Sequence, residues 1–340
     1  MFARAVNEDE TIKSALNDFI LYKVDCEKGE GIEIAKKYGV RGYPTFIAMN
    51  GKGEVTDSWI GYGGPEAWSG SALAAAADPR TIAEKKVAFE AEPSAGLARC
   101  LANAAATGYD FRSAVDYFRT ARELDAANAD EYTHEILMNM YYGSRGNVFT
   151  FAEVETEAKV ALASPAATAE QKIELALMLR NMARQSGEPE AAVPYITAAL
   201  KASEGSTDEG VLKNRVHLEI DYALLVEKDS EKALKLFRST LDEGWMDNAN
   251  QLNNFAWWCF EADVNLEEAE EMAMRGVELA ETDAGRANIL DTAAEICNKL
   301  GNCEEAVARM KHAIELNPDK QYFQDQLVRF EKVVEEKQSG

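Results

Sequence analysis

No apolar run in the 340 residues approaches the ~18–20 that a membrane-spanning helix requires, and the N-terminus carries no basic and apolar signal pattern. As written, the chain is expected to be soluble and to stay where it is made, in the cytoplasm; a signal peptide upstream would make a periplasmic or secreted location possible. A cationic surplus is also missing, with 36 Lys and Arg against 59 Asp and Glu and a formal net charge of −23. A nucleic-acid backbone or an anionic membrane would be repelled before contact formed, so neither is expected as a partner. Cysteine is sparse: Cys26, Cys100, Cys259, Cys297 and Cys303 contain no Cys-x-x-Cys, and an odd number at wide spacing is not a disulfide framework. Buried thiols acting as small hydrophobes are the main expectation. His134, His217 and His312 are scattered, and only His217 has a carboxylate one turn away, Asp221, which is too few ligands for a metal site. No metal and no cofactor is expected. Gly-x-Ser-x-Gly and His-Glu-x-x-His are absent, which leaves hydrolysis without support. Gly61, Gly63 and Gly64 lack the spacing and the Lys-Ser/Thr of a phosphate loop.

What is present divides near Asp78-Pro79. Residues 1–78 carry 8 basic and 12 acidic side chains, so most of the negative charge belongs to the remainder. Residues 1–17 read as helix, with Asp9-Glu10 placed to favour its positive end. Phe19-Ile20-Leu21-Tyr22-Lys23-Val24 is apolar, β-branched and aromatic, and predicts a buried strand. Ile32 to Tyr38 has one apolar helical face ending at Gly39. Thr45 to Met49 and Val55 to Ile60 predict two antiparallel strands about an Asn50-Gly51-Lys52-Gly53 turn, whose Asn-Gly would supply the positive φ angles. Pro65 suits the first turn of a closing helix that runs to Ala77.

Val24-Asp25, the run from Ile34 through Gly39-Val40-Arg41-Gly42-Tyr43-Pro44-Thr45-Phe46, Asn50 to Gly53, and Gly61 together resemble the second half of a thioredoxin domain. The resemblance implies a cis bond before Pro44, with Arg41, Tyr43, Pro44 and Thr45 forming a loop that meets substrate. It also implies a Cys-x-x-Cys pair, which this chain lacks, so no catalytic residue is assigned. On this reading Met1 is an internal methionine, and the native frame continues upstream with a strand and the cysteine pair.

From residue 79 to 340 the pattern is helical and repeats. Ala114 to Ala121 recurs in type as Val154 to Ala161, Ala192 to Ala199, Ala233 to Thr240, Ala269 to Gly276 and Ala306 to Ala313, at spacings proper to helix-pair repeats. A small residue at the first position and another seven on would let two helices approach closely. The last copy is the clearest. It has Leu290, Ala293, Ala294 and Cys297 on one helix, Gly301-Asn302 at the turn, Ala306, Met310 and Ala313 on the next, then Pro318, and it resembles a tetratricopeptide repeat. Phe323, Leu327, Phe330 and Val334 predict a C-terminal capping helix. The resemblance implies a concave face that binds extended peptides or partner proteins, carried here by Asn254, Trp258, Asn288, Asp291 and Glu295. The fold expected is therefore an α/β thioredoxin-like fragment followed by an all-α, tetratricopeptide-like solenoid.

Two functions follow from these resemblances. One is a thiol-disulfide oxidoreductase of thioredoxin type, redox-inactive as the chain stands, whose repeats recruit protein substrates. The other is a non-catalytic adaptor in which the repeats do the binding.

Overall fold

The structure, a computed structural model, describes residues 2–164 and 167–339. Met1, on which the expectation of an upstream start rests, lies outside them. The chain forms two compact units, residues 1–192 and 193–340.

The first unit begins with two short helices where one was expected. α1 (Phe2–Glu8) stops because the Asp9 carboxylate accepts from the Thr11 and Ile12 amides and so starts α2 (Glu10–Ala15) afresh. After α3 (Glu30–Lys37) come β1 (Thr45–Met49) and β2 (Val55–Ile60), paired antiparallel with Phe46 opposite Trp59 and a register shift at Ala48/Met49. In the turn between them the positive φ falls on Gly53, at 77°, and not on the Asn-Gly pair. Asn50 contributes through its side chain instead, whose Oδ1 accepts from the Lys52 and Glu54 amides. α4 (Pro65–Ala77) opens on its proline and brings Trp68 against Phe2, Phe46 and Trp59, with Ile12, Ala15 and Ala72 beneath.

The predicted strand at Phe19–Val24 is not formed. A strand needs a neighbour to take its amides and carbonyls. Among the described residues the sheet has two strands only, and Ile20 to Val24 make no backbone hydrogen bond. Ile20 and Tyr22 are 98% and 79% exposed, so the segment is not buried either. A two-stranded sheet falls short of the sheet that a thioredoxin-like fold requires.

The last strand ends at Ile60 and α4 at Ala77, but packing does not stop there. Thr81 and Glu84 form a reciprocal cap on α5 (Ile82–Ala91), and from that helix Lys85, 2% exposed, donates to the Thr56 carbonyl of β2 at 2.7 Å. Its ammonium also lies 3.5 Å from Cys100 Sγ on α6 (Ala95–Thr107). Next to it the Asp57 carboxyl is buried, and burial raises its pKa. β2 is thereby held against α5 and α6, inside the first unit.

The unit continues with α7 (Phe111–Leu124), α8 (Ala129–Ser144), α9 (Phe151–Ala163) and α10 (Ala169–Gln185), each packed on its predecessor. The second unit holds α11 (Val193–Ala202), α12 (Glu209–Tyr222), α13 (Ser230–Ser239), α14 (Ala249–Ala262), α15 (Leu266–Leu279), α16 (Asp283–Lys299), α17 (Cys303–Leu316) and α18 (Gln321–Ser339). The repeated segments on α7, α9, α13, α15 and α17 fall on the later helix of a packed pair, and the copy from Ala192 begins in the 3-10 turn Pro189–Ala192 and runs on in α11. This is the helix-pair order that a tetratricopeptide array implies. α18 closes the unit with Phe323 and Phe330 fully buried, while Lys337 donates to the Gly301 carbonyl at the end of α16.

Two stability predictions follow. Lys85→Met keeps the apolar stem but strips the Thr56 carbonyl and Asp57 of their cation, and should cost about 1–3 kcal/mol in urea unfolding. Lys86→Met, exposed one residue on, should change stability by less than about 0.5 kcal/mol. Phe330→Ala should cost about 3–5 kcal/mol by leaving a cavity under the cap.

Candidate functional site: the face of α14 and α16

The five buried positions of α14, Leu252, Phe255, Ala256, Trp258 and Cys259, have buried counterparts 38 residues later on α16 in Leu290, Ala293, Ala294, Ile296 and Cys297. This common inward face fixes which residues point outward. By the same offset Asp291 corresponds to Asn253 and Glu295 to Trp257, and the two helices pack on each other.

Asn288, Asp291 and Glu295, all expected at the site, do share one face of α16. α18 and the residue before it meet that face with polar groups: Lys320 Nζ donates to Asn288 Oδ1 at 2.7 Å, Arg329 donates to the Glu295 carboxylate, and Tyr322 lies close enough to Asp291 to influence its carboxyl. Asp291 Oδ1 is buried without a hydrogen-bond partner, as are Asn253 Oδ1 and Asn298 Oδ1. Burial, then repulsion from Glu295, lifts the Asp291 carboxyl from its ordinary 3.8 to about 6, against the partial offset of Tyr322, Lys320 and Arg329.

On α14 the placement differs from expectation. Asn254 is exposed, but Trp258 is 8% exposed and stacked flat on Phe237 of α13 at 4.2 Å, inside the core. Trp257, 36% exposed and leaning on Phe260, is the tryptophan on the surface. Adjacent tryptophans on a helix differ by about 100° in direction, so one of such a pair must face the core. The repeat offset is the signal that identifies which.

The loop that carries Arg41, Tyr43, Pro44 and Thr45 lies in the first unit. The Tyr43–Pro44 peptide is cis, and Tyr43 is 59% exposed. Thr45 Oγ1 donates to the Gly42 carbonyl at 2.7 Å, and the Arg41 guanidinium sits over the Tyr109 ring. A Cβ on Gly42 would stand 3.1 Å from the Tyr109 hydroxyl, so a larger residue there would have to push that ring end aside. No thiol pair faces this loop among the described residues. The five cysteines are free, and burial pushes Cys100, Cys259 and Cys297 up to about 12. Cys297 and Cys303 are not joined: Cys297 Sγ donates to Glu270 and Cys303 Sγ to the Gly301 carbonyl. Among the described residues no cluster of His, Cys, Asp or Glu could hold a metal ion, and no helix is long and apolar enough to cross a membrane.

No family model matches the chain, and no curated protein matches it. Among solved structures, YrrB, described as a TPR protein with an unusual peptide-binding site, aligns at 16% identity. The alignment covers 72% of this chain and 98% of that one with a TM-score of 0.35. A likeness of that strength carries no argument, and the description of the fold rests on the helix contacts themselves.

The Asp291 carboxyl gives a signed prediction. Its folded pKa lies above the unfolded value, so its contribution to stability is complete below about pH 3.8 and lost as pH rises through about 6. Asp291→Asn should therefore be more stable than the parent by about 1–3 kcal/mol at neutral pH, with no difference near pH 3.5. Urea midpoints across that range measure it.

Proposed function

We propose that the chain is a non-catalytic adaptor whose tetratricopeptide-like repeats bind an extended segment of a partner protein along the face of α14 and α16. The observation that carries this reading is the composition of that face. Asn253, Asn254 and Trp257 stand on α14 and Asn288, Asp291 and Glu295 on α16, two helices packed on each other that also contribute to apolar core clusters. Asparagines match the amides and carbonyls of an extended backbone, and an exposed tryptophan supplies a rigid apolar contact. Asp291 supports the reading further, because a carboxylate that costs stability at neutral pH is expected where binding requires it. The Arg41–Thr45 loop, with Tyr43 and Pro44 exposed, serves in this proposal as a further protein-contact surface.

The oxidoreductase reading has less support. Thiol-disulfide exchange needs an accessible thiolate and a second thiol to resolve the mixed disulfide. Among the described residues only Cys26 is part-exposed. In an insulin-reduction assay with dithiothreitol the chain should therefore give no rate above the reductant alone, and Cys26→Ser should change nothing. A rate that depends on Cys26 would return the thioredoxin reading to the front.

For the binding reading, a fluorescent peptide selected from an array on the full chain should lose at least about tenfold in affinity on Trp257→Ala, or about 1.4 kcal/mol. Asn253→Ala should weaken it less. If Trp257→Ala and Asp291→Asn both leave the affinity of every selected peptide unchanged, the face is not the binding site.

A further inference from the structure

A second candidate site lies in the first unit and shares no residue with the α14/α16 face, so each reading can fail alone. α8, the end of α9 and α10 enclose a cavity of about 120 Å³. Leu137, Met138, Leu162, Leu175 and Met178 supply apolar walls. This is a space of useful size: a dry apolar cavity of ~150 Å³ holds a benzene-sized guest, so one of about 120 Å³ suits a leucine-sized side chain and is too small for an indole. Two of the five walls are methionines, whose unbranched thioethers adapt to an inserted group at little cost.

The mouth of the cavity is polar and asymmetric in charge. Asp130, His134, Lys172 and Glu174 line it. Asp130, whose Oδ2 accepts from the Ser164 hydroxyl, and Glu174 set two carboxylates against Lys172 at the mouth, and the first turns of α8 and α10 also carry the exposed Glu131 and Glu170. Further along the same helices Asn181 Nδ2 donates to the Tyr141 hydroxyl at 3.3 Å, linking α10 to α8 beyond the cavity.

We infer that this cavity is a side-chain pocket that takes one leucine-sized aliphatic residue of a partner peptide, with basic residues on either side of it. The aliphatic part follows from wall chemistry and volume, and the basic flanks from the carboxylates at the mouth. A bare small apolar molecule would use the walls but leave the mouth unused.

The test uses the full chain with ¹³C-labelled methionine methyl groups, the Met138 and Met178 signals being assigned from Met138→Leu and Met178→Leu. N-acetyl-leucinamide should shift both signals saturably, with Kd on the order of millimolar for so small a ligand. N-acetyl-glycinamide should shift neither. Acetyl-Lys-Leu-Lys-amide should bind at least about threefold more tightly than acetyl-Glu-Leu-Glu-amide at low ionic strength, a difference that salt should diminish. Ala161→Phe, which fills the cavity, should abolish the leucinamide response while circular dichroism stays unchanged. Should that variant misfold, Leu162→Ala provides the second arm, enlarging the cavity so that N-acetyl-phenylalaninamide gains on leucinamide. No shift with leucinamide, equal shifts with leucinamide and glycinamide, or selectivity indifferent to the cavity variant that folds would each overturn the pocket. Equal affinities for the lysine and glutamate tripeptides would overturn the basic flanks.

Discussion

The close approach of paired helices over small residues is the constraint on which the helical part depends. Ala114, Ala192, Ala233, Ala269 and Ala306 are fully buried at the head of their repeated segments, and Ala121, Ala199, Gly276 and Ala313 are buried seven positions on. Seven residues are almost two turns, so both small positions lie on one face of the later helix. A Cβ added at Gly276 would stand 3.3 Å from the Ala249 carbonyl and 3.4 Å from Ile289, so the backbone spacing there leaves no slack. Once that spacing is set, the rotation of the earlier helix in each pair is set too, because its own apolar stripe must meet the partner. Asn253, Trp257, Asp291 and Glu295 are turned away from that stripe as a consequence of alanines on the other helices, Trp257 to solvent and Glu295 to Arg329 of α18.

Two buried polar groups depart from this apolar logic, and they differ in kind. Lys85 is satisfied, by a charged hydrogen bond to the Thr56 carbonyl with Asp57 nearby, and its effect is to fasten β2 to α5 and α6. Asp291 is under-satisfied: one oxygen has no partner, and the carboxyl is pushed toward its neutral form. The first arrangement strengthens the packing it belongs to. The second costs stability at neutral pH, because a buried carboxyl without a full set of partners is held away from its charged form.

The N-terminal part shows how a correct local preference can fail to produce its element. Phe19 to Val24 has the composition of a strand, yet a strand is completed by its neighbours' hydrogen bonds and not by its own side chains. β1 and β2 find each other because an Asn50-centred turn ties them together and Phe46 meets Trp59 across the pair. Phe19 to Val24 has no such partner among the described residues.

Local chemistry made much of the chain legible before any coordinates. The helix-pair order from residue 82, the β hairpin, the proline start of α4, the buried alanines and the capping role of Phe323 and Phe330 all follow from periodicity, turn residues and side-chain size, which act over a few residues. Asp9 splitting the first helix was equally local, and its capping position could have been read. Other features were decided only by tertiary contacts. Trp257 and Trp258 are chemically identical neighbours, and Phe237, a residue of the preceding helix, is what draws Trp258 inward. The continuation of packing past residue 78 depends on a lysine reaching a carbonyl 29 positions earlier, and the pocket between α8 and α10 exists only where three helices leave a gap. Such contacts join residues far apart in the chain, so no window of sequence contains both partners; the sequence by itself determined most of the elements, and the packing decided which of their faces stay exposed.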